Sequence, residues 1–158
     1  MIKIKKYPSK EYINSIFEYK NNALYYKKRN SNIVRKDLRA GHKNDRGYIT
    51  IRMNKKHFRS HRLIWIMHYG DIPKGLFIDH INHITDDNRL ENLRLVTNQE
   101  NQWNSVRKGY HKCKRSGKYM SYIHLNDKSI FLGYYNTKEE ARQKYLEKKK
   151  KIHIIKER

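Results

Sequence analysis

A chain of 158 residues can hold one full domain, or a modest domain with a small module. Its single cysteine, Cys113, excludes an internal disulfide framework and a zinc ribbon built on paired cysteines, so any metal must be held by oxygen and imidazole. The net charge of +22 is unevenly spread: residues 1–60 carry 17 Lys and Arg against 4 Asp and Glu, residues 106–158 carry 16 against 5, and residues 61–105 carry 4 against 6. A near-neutral centre between strongly basic flanks suits a divalent-metal site between surfaces that grip nucleic acid. A merely basic ribosomal or membrane-surface protein would not need it. The N-terminal MIKIKKYPSK has charges at every second or third place, and no run approaches ~18 apolar residues. A soluble, intracellular protein that is not secreted and has no membrane partner is therefore expected.

Taken in order, residues 12–20 mix aromatic and polar types, and 23–29 (ALYYKKR) read as a strand. Residues 30–46, rich in Asn, Ser, Lys and Gly, read as a surface loop, either touching phosphate or serving as a solvated linker. A strand over 47–53 (GYITIRM) turns through Asn54 to Lys56 into a partner strand from His57 to Ser60. HRLIWIMHY, from His61 to Tyr69, has helical period with Gly70 as its stop, and its apolar surface comes from Leu63, Ile64, Met67 and Trp65. His61 and His68 have no metal-ligand type at a partnering distance, which favours packing and hydrogen-bonding roles for both. Leu76 to Ile78 form a short buried strand leading into Asp79 and His80, followed by a loop from Asn82 to Asn88. Leu90, Leu93, Leu95 and Val96 form the returning strand. Thr97-Asn-Gln-Glu100 is a capping box that starts a short helix, with Asn101 in its first turn and Asn104 and Ser105 on the same face; Trp103 points elsewhere, towards the core.

From about residue 107 a separate module is expected. Tyr110 to Cys113, Lys118 to Leu125 and Lys128 to Tyr135 read as three strands, joined by turns at 115–117 and 126–127. A second capping box, Thr137-Lys-Glu-Glu140, starts a helix through Ala141 and Tyr145. Alternation puts Tyr119, Ser121, Ile123 and Leu125 on the face that packs on this helix. Met120, Tyr122 and His124 then face a partner. The run Lys148 to Lys151 is a solvated helix end that can add phosphate contacts.

The central stretch IDHINHITDDNRLENLRLVTNQEN, from Ile78 to Asn101, gathers an acid, an imidazole and two amides among turn residues. Phosphodiester hydrolysis needs an attacking water, a base for its proton, and positive charge for the phosphate. His80, of a type with an ordinary pKa of ~6.5, suits the base. One Mg²⁺ (or Mn²⁺) ion takes few protein oxygens and completes its shell with water and phosphate, so Asp79 and the Asn101 side-chain oxygen would suffice. Neighbours on a regular strand face opposite sides, so Asp79 and His80 can serve one site only at a strand end where the chain bends. Asp-His followed by scattered Asn also occurs as plain turn chemistry, and on composition both readings stand.

At these residues the chain resembles the HNH endonucleases of phage homing and free-standing type. The resemblance lies in HRLIW (from His61), YGDIPKG (from Tyr69), IDHIN (from Ile78), DNRLENLRLVT (from Asp87) and QENQWN (from Gln99), covering 61–105 almost continuously. The resemblance implies a ββα-metal fold with His80 as general base, Asp79 and Asn101 as metal ligands, and Asn92 pinning the hairpin loop and orienting the base. It also implies a double-stranded DNA substrate and a phage-infected or bacterial cell as location. The C-terminal module resembles the AP-two (ethylene-response-factor) DNA-binding domain at GKY, SYI and LGYYNTKEEA (Leu132 to Ala141). That resemblance implies major-groove contacts from Met120, Tyr122, His124, Phe131, Lys112, Lys114 and Arg115, with Asn104 a further DNA contact beside the helix.

The expected architecture is α+β. N-terminal β-hairpins (1–60) and an HNH core (61–106) make a nuclease domain over 1–106, followed over 107–158 by a three-stranded antiparallel sheet on one helix. The expected function is divalent-metal-dependent DNA cleavage of the homing type, by a monomer or a dimer, without a small-molecule cofactor. The alternatives are an inactive sequence-binding DNA protein and, more weakly, an RNA binder.

Overall fold

The computed structural model describes residues 6–27, 38–126 and 128–155. The end of the expected first strand (28–29), the 30–37 part of the expected loop, and Asp127 of the last hairpin turn lie outside the described residues. The chain divides into two compact units, one running to Val96 and the other from Thr97 to Glu157. Both mix helices with antiparallel sheet, an α+β class.

In the first unit, Ser9 caps α1 (Lys10–Ile16) by accepting from the Tyr12 N–H. This helix occupies part of the aromatic-polar stretch for which no element was expected. It buries only Ile13, so its apolar stripe is too narrow for periodicity to reveal. β1 (Phe17–Lys20) and β2 (Ala23–Tyr26) pair through Asn21 and Asn22, both at positive φ, the backbone of a tight hairpin turn that asparagine tolerates. The expected loop is partly structured: Arg39 bridges Tyr25, the Ala40 N–H donates to the Leu24 carbonyl at 2.7 Å, and β3 (His42–Lys43) pairs with β4 (Ile49–Met53). Asn54 and Lys55 turn β4 into β5 (Lys56–Arg59), and Ser60, expected in that strand, instead opens α2 (Ser60–Tyr69).

Helix α2 is the centre of this unit's core. Leu63, Ile64, Trp65, Ile66 and Met67 are all buried, joined by Ile13, Phe17, Leu24, Ile51 and Phe58 from the surrounding elements. In a helix buried so nearly all round, each polar residue costs free energy unless it finds a partner. Gly70 at φ +86° ends it. β6 (Leu76–His80) then pairs with β7 (Leu93–Thr97). Two expectations change here. β6 extends past Ile78 to take in Asp79 and His80 as its last two residues, which leaves the pair at the strand end where the chain turns into the loop, and Leu90 lies in a 3-10 turn (Leu90–Asn92) before β7 begins.

In the second unit, both capping boxes form: Thr97 starts α3 (Asn98–Trp103) and Thr137 starts α4 (Lys138–Ile152). The sheet has the order β10-β9-β8, with β8 (Tyr110–Lys112), β9 (Tyr119–Leu125) and β10 (Lys128–Tyr135). Ser121 and Ile123 of β9 are buried with Ala141 and Tyr145 of α4. No helix among the described residues is long and apolar enough to cross a membrane.

Gly109 shows how closely α4 lies on this sheet. Its φ is +74°, and a Cβ added there would run into the Tyr145 ring. Gly109→Ala should therefore lower unfolding free energy by about 3 kcal/mol, combining left-handed backbone strain with overpacking. Gly117→Ala is the control, since Gly117 shares the positive φ but meets nothing within 4 Å, and should lose only about half as much. Urea unfolding of the full chain compares the two. Equal losses would mean that the contact with Tyr145 contributes nothing.

Candidate active site

The strand LFIDH carries its polar pair inward: Asp79 is 9% exposed and His80 5%. Asn88 Oδ1 lies 3.2 Å from His80 Nε2. With the amide oxygen facing it, Nε2 carries the hydrogen and Nδ1 is the nitrogen without one. Asn88 is itself buried, and its backbone carbonyl accepts from the Tyr19 hydroxyl at 3.3 Å. The orienting amide is thus tied to the β1–β2 hairpin.

His61, from the first turn of α2, meets His80 ring edge to ring face with centroids 4.8 Å apart. Tyr48 flanks both imidazoles, at 5.4 Å from His61 and 6.0 Å from His80, and the Arg59 guanidinium lies 4.2 Å over the Tyr48 ring. His61 is 2% exposed and its Nδ1 is buried without a partner. Burial above all, reinforced by His80, Arg62 and Arg59, pushes its pKa well below the ordinary imidazole value.

Asp79 turns to a different partner, as strand alternation requires. Arg94 on β7 donates to its Oδ2 from both Nε, at 3.1 Å, and Nη2, at 3.0 Å. The loop after His80 is closed by Asn92. The Ile81 N–H donates to the Asn92 carbonyl (2.9 Å) and the Asn82 N–H to Asn92 Oδ1 (3.1 Å), while Asn92 Nδ2 donates to the Asp87 carbonyl (2.8 Å). Asp87 in turn accepts from Arg89 and Asn82, and the Arg89 bonds hold its carboxyl down at about 2. Lys43 on β3 clamps Asp86 at 2.8 Å.

Asn101 sits in the first turn of α3, in the second unit, and is exposed. The helix ends at Trp103, so Asn104 is its cap rather than part of a continuing face, and the Ser105 hydroxyl turns back to the Gln102 carbonyl at 2.6 Å. Trp103 is only half-buried, stacked on His153 rather than sunk in a core. No group of three His, Cys, Asp or Glu that could hold a metal occurs among the described residues.

The sheet of the second unit turns His111, Met120, Tyr122, His124, Phe131 and Tyr134 to one side, because Met120 pairs with both His111 and Tyr134 and Tyr122 with Phe131. Rings touch from His111 to Tyr122 (5.4 Å), Tyr122 to His124 (5.3 Å) and Phe131 to Tyr134 (5.2 Å). Lys112 does not belong to this face. It pairs with Tyr119 and its ammonium lies 6.0 Å from that ring, so the register puts His111 where a lysine was expected. Lys114 and Arg115 are exposed in the turn that follows β8.

Residues 58–103 match the HNH endonuclease family. That HNH segment contains His61, Asp79, His80, Asn88, Asn92, Arg94 and Asn101. Over 46 residues the chain is 46% identical to "Protein 3.8" of Escherichia phage T7, covering 29% of this chain and 38% of that protein. It is 33% identical over 63 residues to the "SPbeta prophage-derived putative HNH homing endonuclease YosQ" of Bacillus subtilis, covering 40% and 36%. Over 90 residues it is 33% identical to the "Uncharacterized HNH endonuclease L560" of Acanthamoeba polyphaga mimivirus, covering 54% and 48%. The chain thus spans less than half the length of each of these relatives. No solved structure matches it.

Arg94, Asn88 and His61 escaped the sequence reading, Arg94 because one arginine in a strand of a lysine- and arginine-rich chain stands out by nothing local. Asn88 looked like one more turn residue in an asparagine-rich loop, and His61 was placed in the packing, where it is, but against His80. His61 also sets a pH dependence. The fold keeps it neutral, whereas the unfolded chain takes up a proton near the ordinary value of 6.5, so stability falls as pH drops below that value. His61→Phe should flatten this decline between pH 7.5 and pH 5.5 in urea titrations, relative to wild type. An unchanged slope would show that His61 does not carry the burial cost.

Proposed function

We propose that the chain is a divalent-metal-dependent endonuclease of the HNH homing type that hydrolyses phosphodiester bonds in double-stranded DNA. The observation that carries this reading is the position of His80: inside the HNH segment, oriented by a buried amide and backed by a neutral imidazole. His80 takes the proton of the attacking water at Nδ1 while Nε2–H stays on Asn88. Asn92 keeps the loop closed so that His80 does not swing away.

The donor set fits an oxygen-bound ion. Asp79 is a carboxylate that already accepts a cationic group, the Arg94 guanidinium, on Oδ2. Asp79 is the residue of the first unit that we assign to the ion, a small protein contribution of the kind Mg²⁺ takes. A bound divalent cation supplies positive charge to the phosphate and the departing oxygen. Arg94, a fixed cation beside Asp79, is suited to a phosphate oxygen of the same strand.

For the second unit we propose duplex binding through the ring-bearing face of the sheet, in the manner of an AP-two-like module. In support stand an apolar-aromatic surface with Phe131 55% exposed, the exposed Lys114 and Arg115, and the strongly basic composition of this half of the chain. A β-sheet laid in a groove positions side chains on base edges while cations meet phosphates.

Two measurements test these assignments. In relaxation of supercoiled plasmid with Mg²⁺ or Mn²⁺, His80→Ala should cut about 100- to 10,000-fold more slowly than wild type, the range removed with a general base. Asp79→Asn should be comparably impaired. Undiminished cutting by His80→Ala sinks the base assignment, and intact plasmid with wild type in every metal leaves the reading of an inactive DNA-binding protein. Separately, Phe131→Ala should weaken duplex binding roughly tenfold in an anisotropy titration without changing the unfolding midpoint. Unaltered affinity would remove the sheet face from the interface.

A further inference from the structure

The second unit contains a concavity that the proposed hydrolysis does not use, lined by the last residues of the HNH segment and by β9. β8 is three residues long and pairs only with Tyr119 to Ser121 of β9, after which the Tyr122 N–H reaches the Gly109 carbonyl at 3.2 Å. Beyond that point no described strand pairs with residues 123–125 on the β8 side. A cleft of about 680 Å³ opens along this short edge, walled by α3, by the segment around Arg107 and by the end of α4.

Two flat rings form one wall. The Trp103 indole and the His153 imidazole lie parallel within 6°, their centroids 4.8 Å apart. His153 Nε2 lies 2.9 Å from the His124 carbonyl, an acceptor, so Nε2 carries the hydrogen and donates it. Its other nitrogen, Nδ1, is buried and has no partner. A buried acceptor left without a donor costs free energy. Burial, the first cause, lowers the pKa of this ring, which keeps Nδ1 an acceptor.

Polar groups surround the rings. Gln99 donates to Asn126 Oδ1 at 2.9 Å across the mouth, and Gln102 and Arg107 also line it. None of the lining residues is acidic. Lys149 lies close by, donating to the Ser105 carbonyl at 3.2 Å. A site with a ring stack, side-chain amides and positive charge fits a planar heterocycle that carries a phosphate. An added peptide strand fits less well, because the open edge is too short for a ladder and strand addition would not use the rings.

We propose that this cleft holds one unpaired nucleobase of a DNA strand, stacked beside the Trp103–His153 pair with its phosphate at Arg107. The inference rests on the DNA-binding reading above and adds to it a preference for distorted or unpaired DNA. The volume exceeds that of a single base, leaving room for sugar and phosphate.

The test uses the full chain in EDTA, so that no strand is cut, with a short duplex that is either fully paired or carries one bulged 2-aminopurine. Wild type should bind the bulged duplex at least about tenfold more tightly, the order expected for stacking one base on an aromatic side chain. The 2-aminopurine fluorescence should be quenched on binding. Trp103→Ala should abolish both the preference and the quench while leaving affinity for the paired duplex within about twofold. Trp103→Phe, which keeps a ring and protects the fold, should retain part of each. Equal affinity for the two duplexes overturns the proposal but not the DNA reading, whereas failure to bind either duplex overturns both. Displacement of the bulged strand by micromolar deoxyadenosine monophosphate would assign the cleft to free nucleotides. Self-association lost on Trp103→Ala would assign the edge to a second copy of this chain. Either result overturns the proposal.

Discussion

An imidazole and a carboxylate taken out of water must have their hydrogen bonds supplied by the protein: a buried asparagine serves His80, Arg94 serves Asp79, and a second buried asparagine holds the loop that follows them. Asn88 faces His80 Nε2, and Asn92 joins three backbone groups of the loop from its side-chain amide and its carbonyl. A buried polar group left without a partner costs about 1–3 kcal/mol, and a loop without the Asn92 side chain would leave two groups, the Asn82 N–H and the Asp87 carbonyl, without these partners. That accounting explains why the segment between β6 and β7 is dense in short amides. Each must both turn the chain and satisfy it, which aliphatic residues cannot do.

The apolar core makes the same demand from the other side. Helix α2 is buried on almost every face, and the polar residues that open it, Ser60 and His61, are buried too. His61 resolves the conflict by remaining neutral: a charged ring there would face burial, His80, Arg62 and Arg59 together. A neutral His61 adds no buried positive charge between Arg59, Arg62 and His80.

What could be read from the sequence was what chemistry writes locally. The two capping boxes, the helix ended by Gly70 and the tight turn at Asn54 depend on residues within four positions of one another, and each formed where expected. The misses depend on longer range. His61 and His80 meet through tertiary packing, which no spacing within either segment encodes. Whether Leu90 belongs to a strand was decided by the 3-10 turn that positions Asn92, not by its hydrophobicity. In β8 a shift of one residue exchanges faces, and alternation alone could not choose between His111 and Lys112 for the position beside Met120. The pairing of β1 with β2 was written in Asn21-Asn22, but two asparagines in a lysine- and asparagine-rich chain give a faint turn signal.

The Arg94–Asp79 pair shows how this arrangement and the proposed ion constrain each other. Both N–H donors converge on the same carboxylate oxygen, and the carboxylate is mostly buried, so the pair is screened less than a surface ion pair. At equal distance and screening a divalent ion attracts a carboxylate about twice as strongly as a guanidinium does. Mg²⁺ must first shed water, which it does reluctantly, so charge alone does not decide the exchange. A phosphate oxygen would offer the guanidinium a second anion to bind. Arg94 holds the Asp79 carboxylate in place in this structure. On the proposed reading Asp79 would hold the ion and Arg94 would be left to pair with a phosphate, so the same two residues would serve both the resting site and the bound one.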